Sequence, residues 1–237
     1  MTRASATSKR IHLTRHAQAE HNVDSDYTIP DAPLTNLGRE QSKELNQLSK
    51  NTIQKTAELL VCSPLRRPME TMLIGYPDLK ARLESEGKPV ILLDTLQEVG
   101  PYPCDTPTYP LEKLKSSNGG IFSSLDFSTL SEEYASKSGI YDPRRGPERA
   151  REVRRWLRER PEKEIVVVAH GDILRCIVDN ENSIRPWDNA EVKVFTFASE
   201  TDENASMVEV DKAAEPEDAT AEPTSGEIAN GNDHGKA

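Results

Sequence analysis

Short apolar runs alternate with longer segments of helical periodicity along most of this chain. Four of the runs have the length and content of strands, and they cover residues 11–14, 58–62, 90–93 and 165–169. The last run is continuously apolar, which is typical of a parallel strand buried on both faces of a sheet. Residues 192–197 alternate between apolar and polar side chains and predict a fifth strand.

The intervening segments predict helices over residues 35–50, 64–74, 149–159 and 172–180. Strands that alternate with helices favour an α/β fold, here a three-layer sandwich with a mostly parallel central sheet and helices on both faces. Residues 100–146 are rich in Pro, Gly and Ser and interrupt the alternation. They predict a small cap insertion of short helices and loops that covers a site.

Composition divides the chain into three parts. Only 35% of the 237 residues are hydrophobic, and from residue 200 onward eleven acidic residues face only two lysines. Such a segment cannot bury enough apolar surface to offset the entropy of ordering it. We therefore predict a polar N-terminal extension over 1–9, a folded domain over 10–199 and a disordered acidic tail over 200–237. Most of the net charge of −10 belongs to the tail, so the domain is close to neutral.

The same features argue against several classes of protein. A near-neutral domain without basic runs among aromatic residues predicts no nucleic-acid partner. No stretch reaches the length of a membrane span, and the first apolar run is too short for a signal peptide. The three cysteines, Cys62, Cys104 and Cys176, are widely spaced and indicate free thiols in a reducing compartment. We expect a cytoplasmic protein, with the nucleus as a second location left open; the oligomeric state is also left open.

A cluster of arginines precedes and enters the third predicted helix. Its members are Arg144, Arg145, Arg149, Arg151, Arg154 and Arg155. Glutamates spaced among them favour a solvated helix face laced with ion pairs. The alternative is a basic rim that attracts an anionic substrate.

Polar side chains follow four of the predicted strands at the point where each strand ends. Ligands of parallel α/β sheets bind beyond the carboxyl ends of the strands, so these residues are expected to meet. They are Arg15 and His16 after the first strand, Ser63 to Arg67 after the second, Glu98 after the third, and His170 and Gly171 after the fourth.

Two histidines, several arginines and one glutamate suit the transfer of a phosphoryl group. A neutral imidazole attacks phosphorus without a metal-bound hydroxide. Arginine binds phosphate oxygens through its planar fork and stays charged. A carboxyl in an environment that raises its pKa holds the proton that the leaving oxygen needs.

Four segments resemble the motifs of the histidine phosphatase, or phosphoglycerate-mutase-like, superfamily. Leu13-Thr14-Arg15-His16 is similar to its Arg-His-Gly signature, and Ser63-Pro64-Leu65-Arg66-Arg67 to its Ser-x-Leu-x-Arg motif. Leu96-Gln97-Glu98-Val99-Gly100 resembles the segment of the proton donor, and Val168-Ala169-His170-Gly171 that of the second histidine. The resemblance extends over residues 10–198.

The resemblance implies a role for each of these residues. His16 is the expected nucleophile, and Arg15, Arg67 and His170 are expected to bind the phosphoryl group, with Asn22 and Gly171 as further contacts. Glu98 is the expected general acid. The family usually has Gly and then Glu after the nucleophile, whereas Ala17 and Gln18 stand here. This departure favours a phosphatase-like branch over the glycolytic mutases.

Other assignments compete with these at several positions. Arg66 is the alternative to Arg67, and Glu70, Glu112 or Asp105 to Glu98. Ser63 either contacts phosphate or caps the following helix. We interpret His12 and His21 as structural and assign no role to His234. No zinc-finger spacing, His-Glu-x-x-His motif or phosphate-binding GxxxxGK[ST] loop occurs, so neither a metal nor another cofactor is expected.

The interpretation that follows is a metal-independent phosphatase acting on a small phosphorylated metabolite through a phosphohistidine. A mutase with the same fold is the first alternative, and a non-catalytic module that binds phosphorylated ligands is the second. The cap insertion is short and flexible for keeping water from a mutase intermediate, which favours hydrolysis. Candidate specificity residues are Tyr102, Tyr109, Tyr141, Arg144 and Arg145.

Overall fold

The computed structural model describes residues 4–210, which contain one six-stranded sheet. The strands are β1 (Arg10–Arg15), β2 (Leu59–Cys62), β3 (Ile91–Leu92), β4 (Glu164–Ala169), β5 (Val192–Phe197) and β6 (Met207–Glu209). Their order is β3-β2-β4-β1-β5-β6; the first four are mutually parallel, and β5 is antiparallel to both β1 and β6. The predicted mostly parallel sheet is confirmed.

Eight α-helices accompany the strands within these residues. They are α1 (Glu20–Val23), α2 (Asn36–Ser49), α3 (Ile53–Thr56), α4 (Arg66–Gly75), α5 (Pro77–Ser85), α6 (Leu111–Ser116), α7 (Gly146–Glu159) and α8 (Gly171–Asp179). Sequence chemistry sets several of their ends. The Thr35 hydroxyl accepts a hydrogen bond from the Gly38 amide at the start of α2, and Asn180 ends α8 in the left-handed conformation, with φ at 63°.

Alternating side chains of β4 divide the core into two layers. Ile165 and Val167 belong to a cluster with the apolar faces of α7 and α8, whereas Val166 and Val168 pack with residues of α2, α4 and α5. Successive side chains of a strand point to opposite faces, so a continuously apolar strand requires helices on both sides. The predicted three-layer sandwich is confirmed.

Helix α2 lies unusually close to the loop that follows β1. A Cβ atom on Gly38 would lie 2.0 Å from the main-chain oxygen of Gln18, two residues beyond His16. We expect Gly38→Ala to lower the free energy of unfolding by about 1–3 kcal/mol, because the helix or the loop must shift. Denaturant unfolding measures this. Gln47→Ala, on the exposed face of α2, is the control; equal stability of the two variants would contradict the close contact.

Only the beginning of the cap insertion lies over the carboxyl ends of the strands. Gly100, Tyr102 and Asp105 border the cavity there. The following segment instead buries Leu114 and Phe122 in the core layer formed with α4 and α5. The insertion consists of short helices and loops, as predicted. Its first residues border the cavity, and its later apolar residues complete the core.

Both predicted domain boundaries require correction. Ala6, in the expected N-terminal extension, is buried in the core, and its main-chain amide and that of Thr7 donate to the Glu200 carboxylate. The expected tail contributes β6, with Met207 buried beside β5. Pairing of β6 with β5 and burial of Met207 order this polar segment. The remainder of the predicted tail, residues 211–237 with His234, lies outside the described residues.

The expected solvated face of α7 is also partly wrong. Arg149 and Arg154 are buried, with 0% and 2% exposure, while Arg151 is exposed. Arg154 donates to the Asn204 carbonyl and Arg155 to the Glu203 carbonyl, so α7 holds the chain that leads into β6. The sequence argument considered only ion pairs with glutamates, but an arginine can equally donate to main-chain carbonyl groups.

Candidate active site

A polar cavity of about 330 Å³ opens beyond the carboxyl ends of β1 and β4. It is lined by Arg15, His16, His21, Asn22, Tyr27, Glu98, Gly100, Tyr102, Asp105, Gly171, Asp172 and Arg175. Five of the predicted site residues are in this set. The other two, Arg67 and His170, are buried directly against His16. A second depression, of about 390 Å³ between α2 and residues 189–192, contains none of them.

His16 is buried and neutral, and the hydrogen bond at Nδ1 defines its tautomer. Nδ1 lies 2.7 Å from the Ala17 carbonyl oxygen, which only accepts, so Nδ1 carries the proton and Nε2 has the free electron pair. Burial lowers the pKa of His16 well below its usual range, and the nearby charges of Arg67 and Arg15 lower it further. The imidazole is therefore uncharged at neutral pH, with its one electron pair at Nε2.

Arg67 places its guanidinium beside that free electron pair. Its Nε donates to His16 Nε2 over 3.1 Å, and its Nη2 donates to Asp105 Oδ1 over 3.1 Å. The neighbouring Arg66 points elsewhere and donates to Asn118 of the insertion. The geometry therefore favours Arg67, as its place in the Ser-x-Leu-x-Arg motif predicts.

Arg15 supplies a second cation to the cavity from the end of β1. Its Nη1 donates to the Trp187 carbonyl, while its Nε is buried with no partner among residues 4–210. An added Cβ on Gly171 would lie 3.5 Å from that Nε, an ordinary van der Waals contact, so Gly171 lies directly beside the guanidinium. Asn22 faces the same cavity and donates through Nδ2 to His21 Nε2.

His170 lies against His16, with ring centroids 5.2 Å apart and the rings at 65° to each other. Its Nε2 is 2.9 Å from the Ser63 hydroxyl. Helix α4 begins at Arg66 without a side-chain cap, so the expectation that Ser63 caps it is wrong. The contact of Ser63 with phosphate stays a prediction. Burial lowers the pKa of His170 well below its usual range, as do the charges of Arg67 and His16.

Glu98 lies between the cavity and the N-terminus of α8. Its carboxylate accepts hydrogen bonds from the amides of Val99 at 2.8 Å, Asp172 at 3.2 Å and Ile173 at 3.0 Å. Burial raises the pKa of Glu98 to about 7, and the negative charges of Asp172 and Asp105 contribute. A carboxyl with that pKa can both give and take a proton near neutral pH.

The competing carboxylates differ from Glu98 in position. Glu70 is buried outside the cavity, where it accepts a hydrogen bond from the Leu34 amide. Glu112 lies on α6, also outside the cavity. Asp105 does reach the cavity, but it is bound to Arg67. The geometry therefore favours Glu98 as the proton-transfer group.

Several cavity residues were not predicted from the sequence. His21 was interpreted as structural, yet its ring lies 5.9 Å from that of His16, and burial lowers its pKa to about 3. Tyr27 stacks on Tyr102 at the cavity mouth, with ring centroids 4.9 Å apart. Arg175 is paired with Asp172 on α8. One helical turn separates Arg175 from Gly171, a spacing that points to the same face.

Of the five candidate specificity residues, only one lines the cavity. Tyr102 lines the cavity as expected. Tyr109 lies in a separate depression, and Tyr141 is buried against Asp94. Arg144 and Arg145 form exposed ion pairs within their own segment and do not line the cavity. Nε2 of His12, on β1, lies 2.7 Å from the carboxylate of Glu164, the first residue of β4, which is consistent with a structural role.

Residues 4–210 contain no group of three or more His, Cys, Asp or Glu side chains placed to hold a metal ion. None of their helices is long and apolar enough to cross a membrane.

Solved structures with the same fold include phosphatases of bacteria and protists. A putative alpha-ribazole-5'-P phosphatase from Escherichia coli aligns with a TM-score of 0.54 at 17% identity, covering 85% of this chain and 94% of the other. Phosphoserine phosphatase from Entamoeba histolytica aligns with a TM-score of 0.52 at 20% identity, covering 85% and 95%. At these identities the likeness establishes the fold.

Sequence comparisons identify the family. A probable phosphatase of Schizosaccharomyces pombe is 28% identical over 83% of this chain and 94% of its own length. Phosphoglycerate mutase-like protein 1 of Arabidopsis thaliana is 30% identical over 95% of this chain and 89% of its own length. Together with the fold, these relatives support a phosphatase-type activity. The model of the histidine phosphatase superfamily (branch 1) matches residues 11–201, and the chain belongs to this superfamily.

Proposed function

We propose that this protein is a metal-independent phosphatase that hydrolyses small phosphomonoesters through a phosphohistidine at His16. One observation carries the proposal: a buried, neutral imidazole has its electron pair at Nε2, where it accepts a hydrogen bond from the guanidinium of Arg67, beside the cavity that Arg15 lines. Nucleophile and cations are thus already assembled where a phosphoryl group would bind.

In the first half of the reaction, the Arg67 Nε–H that now donates to His16 Nε2 turns to an oxygen of the phosphoryl group, which frees the Nε2 electron pair. Nε2 then forms a bond to phosphorus, and the bond to the ester oxygen breaks. Glu98 gives its proton to that oxygen, and the alcohol leaves. In the second half, ionised Glu98 takes a proton from water, the water oxygen bonds to phosphorus, and the bond to Nε2 breaks. Inorganic phosphate and the starting enzyme result. A pKa of about 7 suits Glu98 to both proton transfers.

Arginine charges take the place of a metal ion in this scheme. The negative charge of the transferred group is spread over its oxygens. Arg15, whose Nε has no partner among residues 4–210, and Arg67, whose Nε leaves His16 during the reaction, would donate to these oxygens. The neutral state of His16 removes the need for a metal-activated nucleophile.

Water access favours hydrolysis over a mutase reaction. Tyr27 and Tyr102 form the cavity mouth, and they are 44% and 48% exposed. A mutase must retain its dephosphorylated intermediate and exclude water until the phosphoryl group returns. Release of inorganic phosphate in step with loss of substrate supports the phosphatase, whereas an isomeric phosphate ester as the main product supports the mutase.

We expect hydrolysis of p-nitrophenyl phosphate to proceed equally with and without EDTA. A rapid acid-free quench with radiolabelled substrate should trap a phosphoenzyme that is stable in base and labile in acid, as expected for a phosphorus–nitrogen bond. Activity lost to EDTA and restored by a divalent cation would contradict the metal-free chemistry. Absence of turnover by folded protein, with retained binding of inorganic phosphate, would favour the non-catalytic binding module.

A further inference from the structure

A fully buried arginine contacts the main chain of the residue that carries the proposed proton donor. Arg149 has no exposed surface, and its Nη2 donates to the carbonyl of Gln97 over 2.8 Å and to that of Glu98 over 3.2 Å. Burying a guanidinium is costly, and carbonyl acceptors offset the cost only in part. The catalytic scheme above makes no use of this charge.

A second cation reaches the same carbonyl from the cap insertion. Nζ of Lys137 donates to the Glu98 carbonyl over 3.0 Å and to the Gly100 carbonyl over 3.2 Å. Burial, together with the charge of Arg149, lowers the pKa of Lys137 to about 8. Two cations from segments far apart in sequence therefore converge on one peptide oxygen.

Contacts on its other side also fix the segment of residues 97–100, which carries Glu98. The carboxylate is bound by amides at the N-terminus of α8, and Gly146 of α7 packs so closely that an added Cβ would lie 2.6 Å from the Val99 side chain. The main chain is thus fixed by α7 and the insertion, and the carboxyl by α8. Movement of the segment requires several of these contacts to break together.

We propose that Arg149 and Lys137 are positioning residues for proton transfer by Glu98. They hold the main chain of residues 97–100 so that the carboxyl lies at the cavity, within reach of the leaving oxygen. The proposal rests on the proposed function, in which Glu98 is the general acid. Neither cation lines the cavity or touches the phosphoryl site.

The leaving group separates this role from a purely structural one. A p-nitrophenolate ion departs without a proton, whereas phenolate is more basic and benefits from the general acid. Misplacing Glu98 should therefore slow phenyl phosphate hydrolysis much more than p-nitrophenyl phosphate hydrolysis. Partial unfolding or a disturbed phosphate site would slow both substrates equally.

The test compares kcat/KM for the two substrates in Lys137→Met, Lys137→Arg and Glu98→Gln. We expect Lys137→Met to lower the value for phenyl phosphate by about 10- to 100-fold and to change that for p-nitrophenyl phosphate little. Lys137→Arg keeps a cationic donor and should recover most of the loss. Arg149→Met should show the same selective loss if thermal unfolding shows it folded, and the exposed Arg151→Met is its control on α7.

Each outcome bears on the proposal separately from the proposed function. If Glu98→Gln discriminates between the substrates but Lys137→Met slows both equally or neither, the positioning role is wrong and the phosphatase mechanism stands. If Glu98→Gln itself does not discriminate, both the acid role of Glu98 and the positioning role are wrong. Selective loss in Glu98→Gln and Lys137→Met, with recovery in Lys137→Arg, supports the proposal.

Discussion

Replacement of His16 by Asn is expected to lower kcat for p-nitrophenyl phosphate on the order of 10⁴-fold or more and to abolish the trapped phosphoenzyme. The asparagine amide can still donate to the Ala17 carbonyl, as His16 Nδ1 does at 2.7 Å. It has no nitrogen with a free electron pair where Nε2 lies. The variant thus removes the nucleophile while keeping the local hydrogen bond.

His12→Asn provides a matched control for this experiment. His12 lies four residues earlier on β1, is also buried, and is bound to Glu164 outside the cavity. Its replacement should cost stability and leave kcat nearly unchanged. If folded His16→Asn retained most of the activity, the phosphohistidine would be wrong and another residue of the cavity would have to be the nucleophile. Phosphate release and thermal unfolding measure both properties.

The core of the site could be predicted because it depends on strand ends. His16 follows β1 and His170 follows β4, and the paired register of these strands, with Arg15 opposite Ala169, brings the two rings to 5.2 Å. A run of apolar residues identifies a buried strand, and the topology of a parallel sheet then places whatever follows it. Residue type and position in the chain were therefore enough to predict that His16 and His170 lie together.

Residues that approach the site from helices and from the insertion were harder to predict. Arg149 belongs to an arginine-rich stretch, and nothing in its spacing distinguishes it from the exposed Arg151 two residues later. Its burial depends on where the Glu98 segment crosses α7, which is a tertiary contact. Tyr109 and Tyr102 illustrate the same limit: two tyrosines of one insertion face different depressions.

The domain boundaries failed for a related reason. Composition averages over a window, and residues 200–210 share the acidic composition of the following segment. Arg154 and Arg155 nevertheless bind the carbonyls of residues 203 and 204, and Met207 pairs with Phe197 in the sheet. A few donors and one sheet edge are enough to order a short polar segment, and they become visible only once the sheet is assembled.

Glu98→Gln is expected to lower kcat/KM for phenyl phosphate by about 10²- to 10⁴-fold and to remove the alkaline limb of its pH profile. The acid form of Glu98 is needed, so wild-type activity should fall as the pH rises through about 7, the pKa to which burial and the nearby carboxylates bring this group. The acid limb should lie well below the usual pKa of histidine, because burial and two arginines keep His16 neutral.

Stability should depend on pH in the corresponding direction. The pKa of Glu98 is higher in the folded protein than in the unfolded chain, so the protonated group favours the folded state. That contribution is complete below the unfolded pKa and is lost as the pH rises through about 7. Glutamine does not ionise, so the unfolding temperature of Glu98→Gln should not decline as the pH rises through about 7, whereas that of the wild type should.

Glu70→Gln is the matched control for both measurements. Glu70 is another buried carboxyl whose pKa is raised by burial, but it lies outside the cavity and is bound to the Leu34 amide and to Arg39. Its replacement should leave the alkaline limb in place because it takes no part in proton transfer. An alkaline limb that persists in Glu98→Gln and vanishes in Asp105→Asn would instead assign the acid to the carboxyl that binds Arg67.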